Sequence, residues 1–291
     1  MIRVSSIARL CAVSSCALTL GLAPPVHAAP RERSKQSIVV VAPEVDVDVS
    51  ACGAAAPAGA RWFYLGAPGD RGAEGVAARR ALRALREAWG TRFSHDPACL
   101  HVEILDDGAL EQRYKRFGKK GPPSQIVGFH NPKLGADSTV FVVPQPGQGL
   151  DVVILHEVLH ALSHRFSLEA GRKRLNHLVE GATEYLTRAL AEASLGIPKR
   201  AFRTGYGSYV AFYDALMARL GSDGLGQLGA AYLGDGYDAY EREVDTRLST
   251  SLRAAGRALE SDDLRSAVQR LSAGADEARD GAGTETRRGG L

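Results

Sequence analysis

His156-Glu157-Val158-Leu159-His160 is the stretch on which the reading of this chain turns. Two histidines four residues apart lie on one face of a helix, one above the other. Both imidazoles can reach the same zinc ion, and Glu157, one residue round the helix, can take a proton from a water that the metal activates. The surrounding sequence is apolar at helical spacing, with Leu155, Leu159 and Leu162 at i, i+4 and i+7. We therefore expect one amphipathic helix from about Leu150 to Phe166. The competing reading is a buried helix with two satisfied histidines and a stray glutamate.

A catalytic zinc takes three protein ligands and leaves one position open, so a third donor is needed. Downstream lies Leu178-Val179-Glu180-Gly181-Ala182-Thr183-Glu184-Tyr185-Leu186, which places Glu180 and Glu184 at i and i+4 on a second helix. Two carboxylates on an otherwise apolar face are costly to bury without a cation or a donor. Zinc supplies the cation for Glu180, and the second ring N–H of a ligating histidine supplies the donor for Glu184. Among other candidates, His164 continues the i+4 series, but it sits about 12 Å along the axis from His156. His177, one turn before Glu180, is the fallback third ligand. A metzincin pattern would place Gly and His where this chain has Ser163 and Phe166.

HEVLH followed by EGATEYL resembles the gluzincins, the thermolysin-like and aminopeptidase-like zinc peptidases. The resemblance implies metal ligands His156, His160 and Glu180, a general base at Glu157, and an acidic residue, Glu184, steadying a histidine ligand. It also implies a zincin-like fold with one zinc ion. The chemistry is hydrolysis of a peptide bond, with the leaving amine receiving its proton from Glu157. An oxyanion donor comes from a downstream Tyr or His in that family. Here the candidates are Tyr206, Tyr209 and Tyr213, with Tyr206, flanked by Gly205 and Gly207, the first choice. No aminopeptidase-type anchoring motif lies upstream, which favours an endopeptidase. The alternative is a catalytically silent zincin that uses the fold as a binding module. A metal-free helical domain is a third reading.

Two strand-like runs precede the motif, Gln125–Phe129 and Ser138–Val143, the second ending at Pro144. An extended peptide could pair with such an edge by strand addition. Further upstream we expect strands at 38–41, 61–65 and 100–105, the last half-buried by its period-two alternation, and helices at 74–89 and 109–117. Arg113, Lys115, Arg116, Lys119 and Lys120 read as a solvated basic face. After Leu150 the pattern is nearly all helical, with helices at 150–166, 174–195, 206–220, 225–232 and 237–259, and a last short helix after Ser261.

The whole is α+β: an N-terminal mixed α/β lobe with a small sheet (29–149), a mainly helical lobe carrying the zinc site (150–260) with the cleft between them, and a short helix with a disordered tail (261–291). Residues 1–28 read as a secretory signal, with Arg3 and Arg9, an apolar run from Leu10 to Leu22 and a small-residue site at Val26-His27-Ala28. A lipoprotein box ending at Cys16 ranks second. Cleavage lowers the formal charge of +3 by two, which excludes a charge-driven nucleic-acid or anionic-membrane partner. It also leaves Cys52 and Cys99, an even pair that an oxidising compartment would bridge. The expected protein is an exported, periplasmic or extracellular monomer. It acts on a peptide or protein substrate and has no integral membrane segment in the mature chain.

Overall fold

In the computed structural model, helix α3 (Leu150–Leu162) runs through the described core and carries the whole motif. Residues 52, 60–69, 71–90, 93, 95–117, 127–131, 138–144, 149–202 and 205–271 are described. The expected leader, the strand at 38–41, Lys119, Lys120 and the tail beyond 271 lie outside them. Ile154, Leu155, Val158 and Leu159 are fully buried, and Val152, Val153, Glu157 and His160 on the other faces are buried as well, so burial extends well beyond the stripe that the leucine spacing predicts. A helix buried in this way is a core helix.

Four strands form the sheet: β1 (Trp62–Tyr64), β2 (His101–Ile104), β3 (Gly128–His130) and β4 (Thr139–Val142). Their order is β1-β2-β4-β3, with β2 and β4 parallel and the outer strands antiparallel to their neighbours. β2 has buried residues on both faces, where its alternation predicts a half-buried strand. Val102 turns inward, and Glu103, 8% exposed, meets Arg113 at 3.1 Å from helix α2 (Asp107–Arg116). Arg113 is thus a partner for a buried carboxylate and does not belong to a purely solvated basic face. Leu105, Leu110, Phe129, Phe141 and Val143 form a small core under α2.

Helix α1 (Gly72–Trp89) packs on α3 and on α5 (Asn176–Leu195), and α3 lies against β3 and β4. One continuous core extends from Phe63 to Leu271, so the sheet half and the helical half share their apolar interior. The remaining helices are α4 (His164–Arg172), α6 (Gly207–Leu220), α7 (Gly224–Ala230), α8 (Tyr237–Leu248) and α9 (Leu252–Glu260). Residues 264–271 are also helical.

Two expected helices are broken. The first stops at Ser163, whose hydroxyl donates to His160 O at 2.9 Å; a side chain bonded to its own preceding turn competes with helix continuation. The second breaks at Ser249, held at φ 49°, after which Ser251 caps α9 by accepting from Ala254 N. Between α7 and α8 the chain makes a wide helical turn over Ala231–Asp235, ended by Gly236. Cys52 and Cys99 form a disulfide, as their even number suggested. Among the described residues no helix is long and apolar enough to cross a membrane.

Candidate metal centre

Helices α3 and α5 lie side by side, and their facing turns bring His156, His160 and Glu180 together. Glu180 Oε2 stands 3.3 Å from His160 Nε2 and 3.9 Å from His156 Nε2. All three donor atoms lie within 4.8 Å of one another. A tetrahedral ion with ligand bonds of about 2.0–2.1 Å spaces its donors about 3.4 Å apart. The group can therefore hold a metal ion.

The outward ring nitrogens are engaged as well. His156 Nδ1 lies 3.2 Å from Glu184 Oε2, and Glu184 Oε1 accepts from Arg188 Nε at 2.8 Å. Arg188 stacks over Phe202, so the guanidinium that balances the buried Glu184 is itself held in place. His160 Nδ1 lies 3.3 Å from Thr183 Oγ1. Both Nε2 atoms are thereby aimed at Glu180. Gly181 lets α6 approach this turn of α5, since a Cβ there would stand 3.0 Å from Tyr209 and Tyr213.

The electrostatics favour a cation. Burial alone would raise the Glu180 pKa, but His160, His156 and His130 outweigh it and hold the carboxyl at about 2. Burial would likewise lower the His156 pKa; the hydrogen bond with Glu184 and the charges of Glu157, Glu180 and Glu184 raise it instead. Three carboxylates thus crowd two imidazoles, an arrangement that a divalent ion neutralises.

Glu157 is buried and leans on β3. A Cβ on Gly128 would meet its Cγ at 2.8 Å and its Oε1 at 3.2 Å, so only glycine lets the strand pass this close. Tyr206, at the start of α6, stacks on the His156 ring with centroids 5.9 Å apart and has its hydroxyl within hydrogen-bonding reach of Glu180. Burial, then the charges of Glu180, Glu157 and Glu184, push its phenol well above the ordinary value, so it stays protonated. The other two tyrosines are engaged elsewhere. Tyr209 stacks on His177, and Tyr213 is buried with its hydroxyl donating to Leu178 O at 2.9 Å.

His177, the fallback ligand, turns to α9, where its Nδ1 meets Leu259 O at 3.2 Å and its backbone N–H donates to Glu260. His164 belongs to α4, beyond the break at Ser163, and is not in the group. Four contributors were not legible from the motifs. Gly128, Arg188 and Thr183 are ordinary residue types whose role appears only in contact. His130 ends β3 and stacks on His160 at 5.4 Å and 14°; a histidine closing a strand-like run upstream of the motif was the available signal.

No family model matches the chain, and comparison with curated proteins and with solved structures gave no match.

Proposed function

We propose that this protein is an exported zinc-dependent peptidase of the zincin type, cutting within peptide chains. The observation that carries the reading is the pairing of two features. His156, His160 and Glu180 converge around a space for one ion, and Glu157, next to His156 on α3, packs against β3, the outermost strand of the described sheet. Zinc held by these residues would supply Lewis acidity, polarising a carbonyl and bringing the pKa of water to about 7.

This chain's own groups would do the rest. Val127 O accepts from Val143 N, and Asn131 N donates to Thr139 O, so these two residues spend their main-chain groups on β4. Alternation along an antiparallel strand then turns the main-chain groups of Gly128 to the other side. β3 is the outermost strand of the described sheet. An extended substrate laid on that edge runs past Glu157. The carboxylate takes a proton from the attacking water and delivers it to the leaving amine. Tyr206 donates its hydroxyl to the oxygen on which negative charge develops. The disulfide suits an oxidising compartment, as does the leader-like N-terminus.

The test is Glu157→Gln in the purified chain lacking residues 1–28, with zinc content and digestion of a proteome-derived peptide library both measured. The wild type should carry one zinc and cleave peptides. The variant should keep its zinc and lose at least about 10²-fold in turnover. Zinc without cleavage in the wild type would leave a metal-binding module, and absence of zinc would leave a metal-free helical protein.

A further inference from the structure

His160 faces the metal space with Nε2, which must offer a lone pair to serve as a ligand. Its Nδ1 must then carry the proton and donate it. The acceptor is Thr183 Oγ1, fully buried on α5. The Thr183 hydroxyl has three partners: His160 Nδ1 at 3.3 Å, Val179 O at 2.9 Å and the Tyr232 hydroxyl.

A hydroxyl has one proton and two lone pairs. Val179 O can only accept, and the Tyr232 hydroxyl, which also meets Ser163, can give or take a proton. Whether the Thr183 proton goes to Val179 O or to Tyr232, Oγ1 keeps a lone pair for His160 Nδ1. That hydrogen-bond polarity is compatible with a proton on His160 Nδ1 and incompatible with a lone pair there. Tyr232 is fully buried and comes from the wide turn Ala231–Asp235, which packs against α4 and α3. Its ring packs on Phe166, with centroids 5.0 Å apart, which fixes where the hydroxyl points.

We propose that Thr183, with Tyr232 behind it, is a positioning residue that sets the tautomer and ring orientation of His160 and so tunes metal affinity at this centre. The proposal rests on the metal-site part of the function proposed above and not on hydrolysis. It gives the wide turn at 231–235, of a kind frequent near functional sites, a role in holding the ligand. On the other histidine the same task falls to Glu184, so the two ligands are steadied by different chemistry: a carboxylate for His156 and a hydroxyl chain for His160.

The experiment compares wild type, Thr183→Val, Thr183→Ser and Tyr232→Phe. Zinc affinity is read by competition with a chromophoric chelator, and thermal unfolding is followed for each metal-free chain. Valine keeps the shape of threonine and removes the acceptor. Thr183→Val should bind zinc about 10–100-fold more weakly. Thr183→Ser should restore wild-type affinity, and Tyr232→Phe should weaken binding by less than Thr183→Val. Should Thr183→Val fail to fold, the serine and phenylalanine variants still decide. Unchanged affinity in Tyr232→Phe, or weak binding in Thr183→Ser, overturns the proposal. A Thr183→Val chain that unfolds earlier yet binds zinc as tightly as wild type also overturns it, leaving a purely structural hydroxyl. Wild type that binds no zinc sinks this proposal and the metal centre together; zinc binding without peptide cleavage sinks only the peptidase reading.

Discussion

At the scale of single residues, the candidate centre is made by side chains that would be unremarkable elsewhere. Gly128 is the sharpest case, because its missing Cβ is the space in which Glu157 lies. Gly128→Ala should displace the Glu157 carboxylate while leaving the three ligands in place. We expect turnover on peptides to fall by about 10²-fold, the cost of a displacement near 1 Å, with zinc content unchanged by metal analysis. A variant of full activity would place the general base elsewhere. The residues that converge, His156, His160 and Glu180, and Glu184 beside His156, were legible in sequence, because a metal site needs rare residue types at helical spacing. Gly128, Thr183 and Arg188 were not, since their contribution is a distance to a partner far along the chain. Glycine, threonine and arginine have many other uses.

At the scale of elements, the helical lobe is pinned by charge as well as by packing. Lys173, at the end of α4, reaches Asp238 at 2.5 Å and pairs with Glu241, both on α8. Its ammonium also lies over the Tyr237 ring. The hydrogen bond from Lys173 holds the Asp238 carboxyl below its ordinary 3.8. The Asp238 part of the clamp is therefore fully present above pH 3.8 and is lost as pH falls through the lower folded-state value. Lys173 shows the opposite sign: burial would lower its pKa, but Asp238 and Glu241 raise it above 10.5. Its part is present below pH 10.5 and is lost as pH rises through the raised value. Denaturant unfolding of wild type and Lys173→Met should differ near pH 7 and converge toward pH 2. A gap that persists in acid would mean that the lysine stem, not its charge, holds the helices. The positions of α3, α5 and α6 were legible to within a few residues from apolar spacing and flanking glycines. The breaks at Ser163 and Ser249 were not, because each depends on local bonding or backbone geometry that apolar periodicity does not register.

At the scale of the whole molecule, the disulfide ties Cys52, which precedes the sheet, to Cys99, just before β2, across a separation of 47 residues. Closing a loop of that length restricts the unfolded chain and contributes about 2–4 kcal/mol. Replacing both cysteines by serine should lower stability by that amount in equilibrium urea unfolding and leave zinc affinity unchanged, since the centre lies on α3 and α5. Loss of zinc binding in the double variant would show that the sheet's tether also shapes the site. By itself, the sequence determined which donor groups the candidate centre can offer. Paired imidazoles, a neighbouring carboxylate and a second pair of carboxylates are properties of residue type and helical period, both of which are written locally. Only the tertiary structure decided that His177 faces α9 while Tyr206 faces the centre, that β3 is the strand beside Glu157, and that a threonine and a tyrosine stand behind His160. Those facts depend on which helix face meets which neighbour, and that is settled by packing across the whole core, where residues far apart in the chain come into contact.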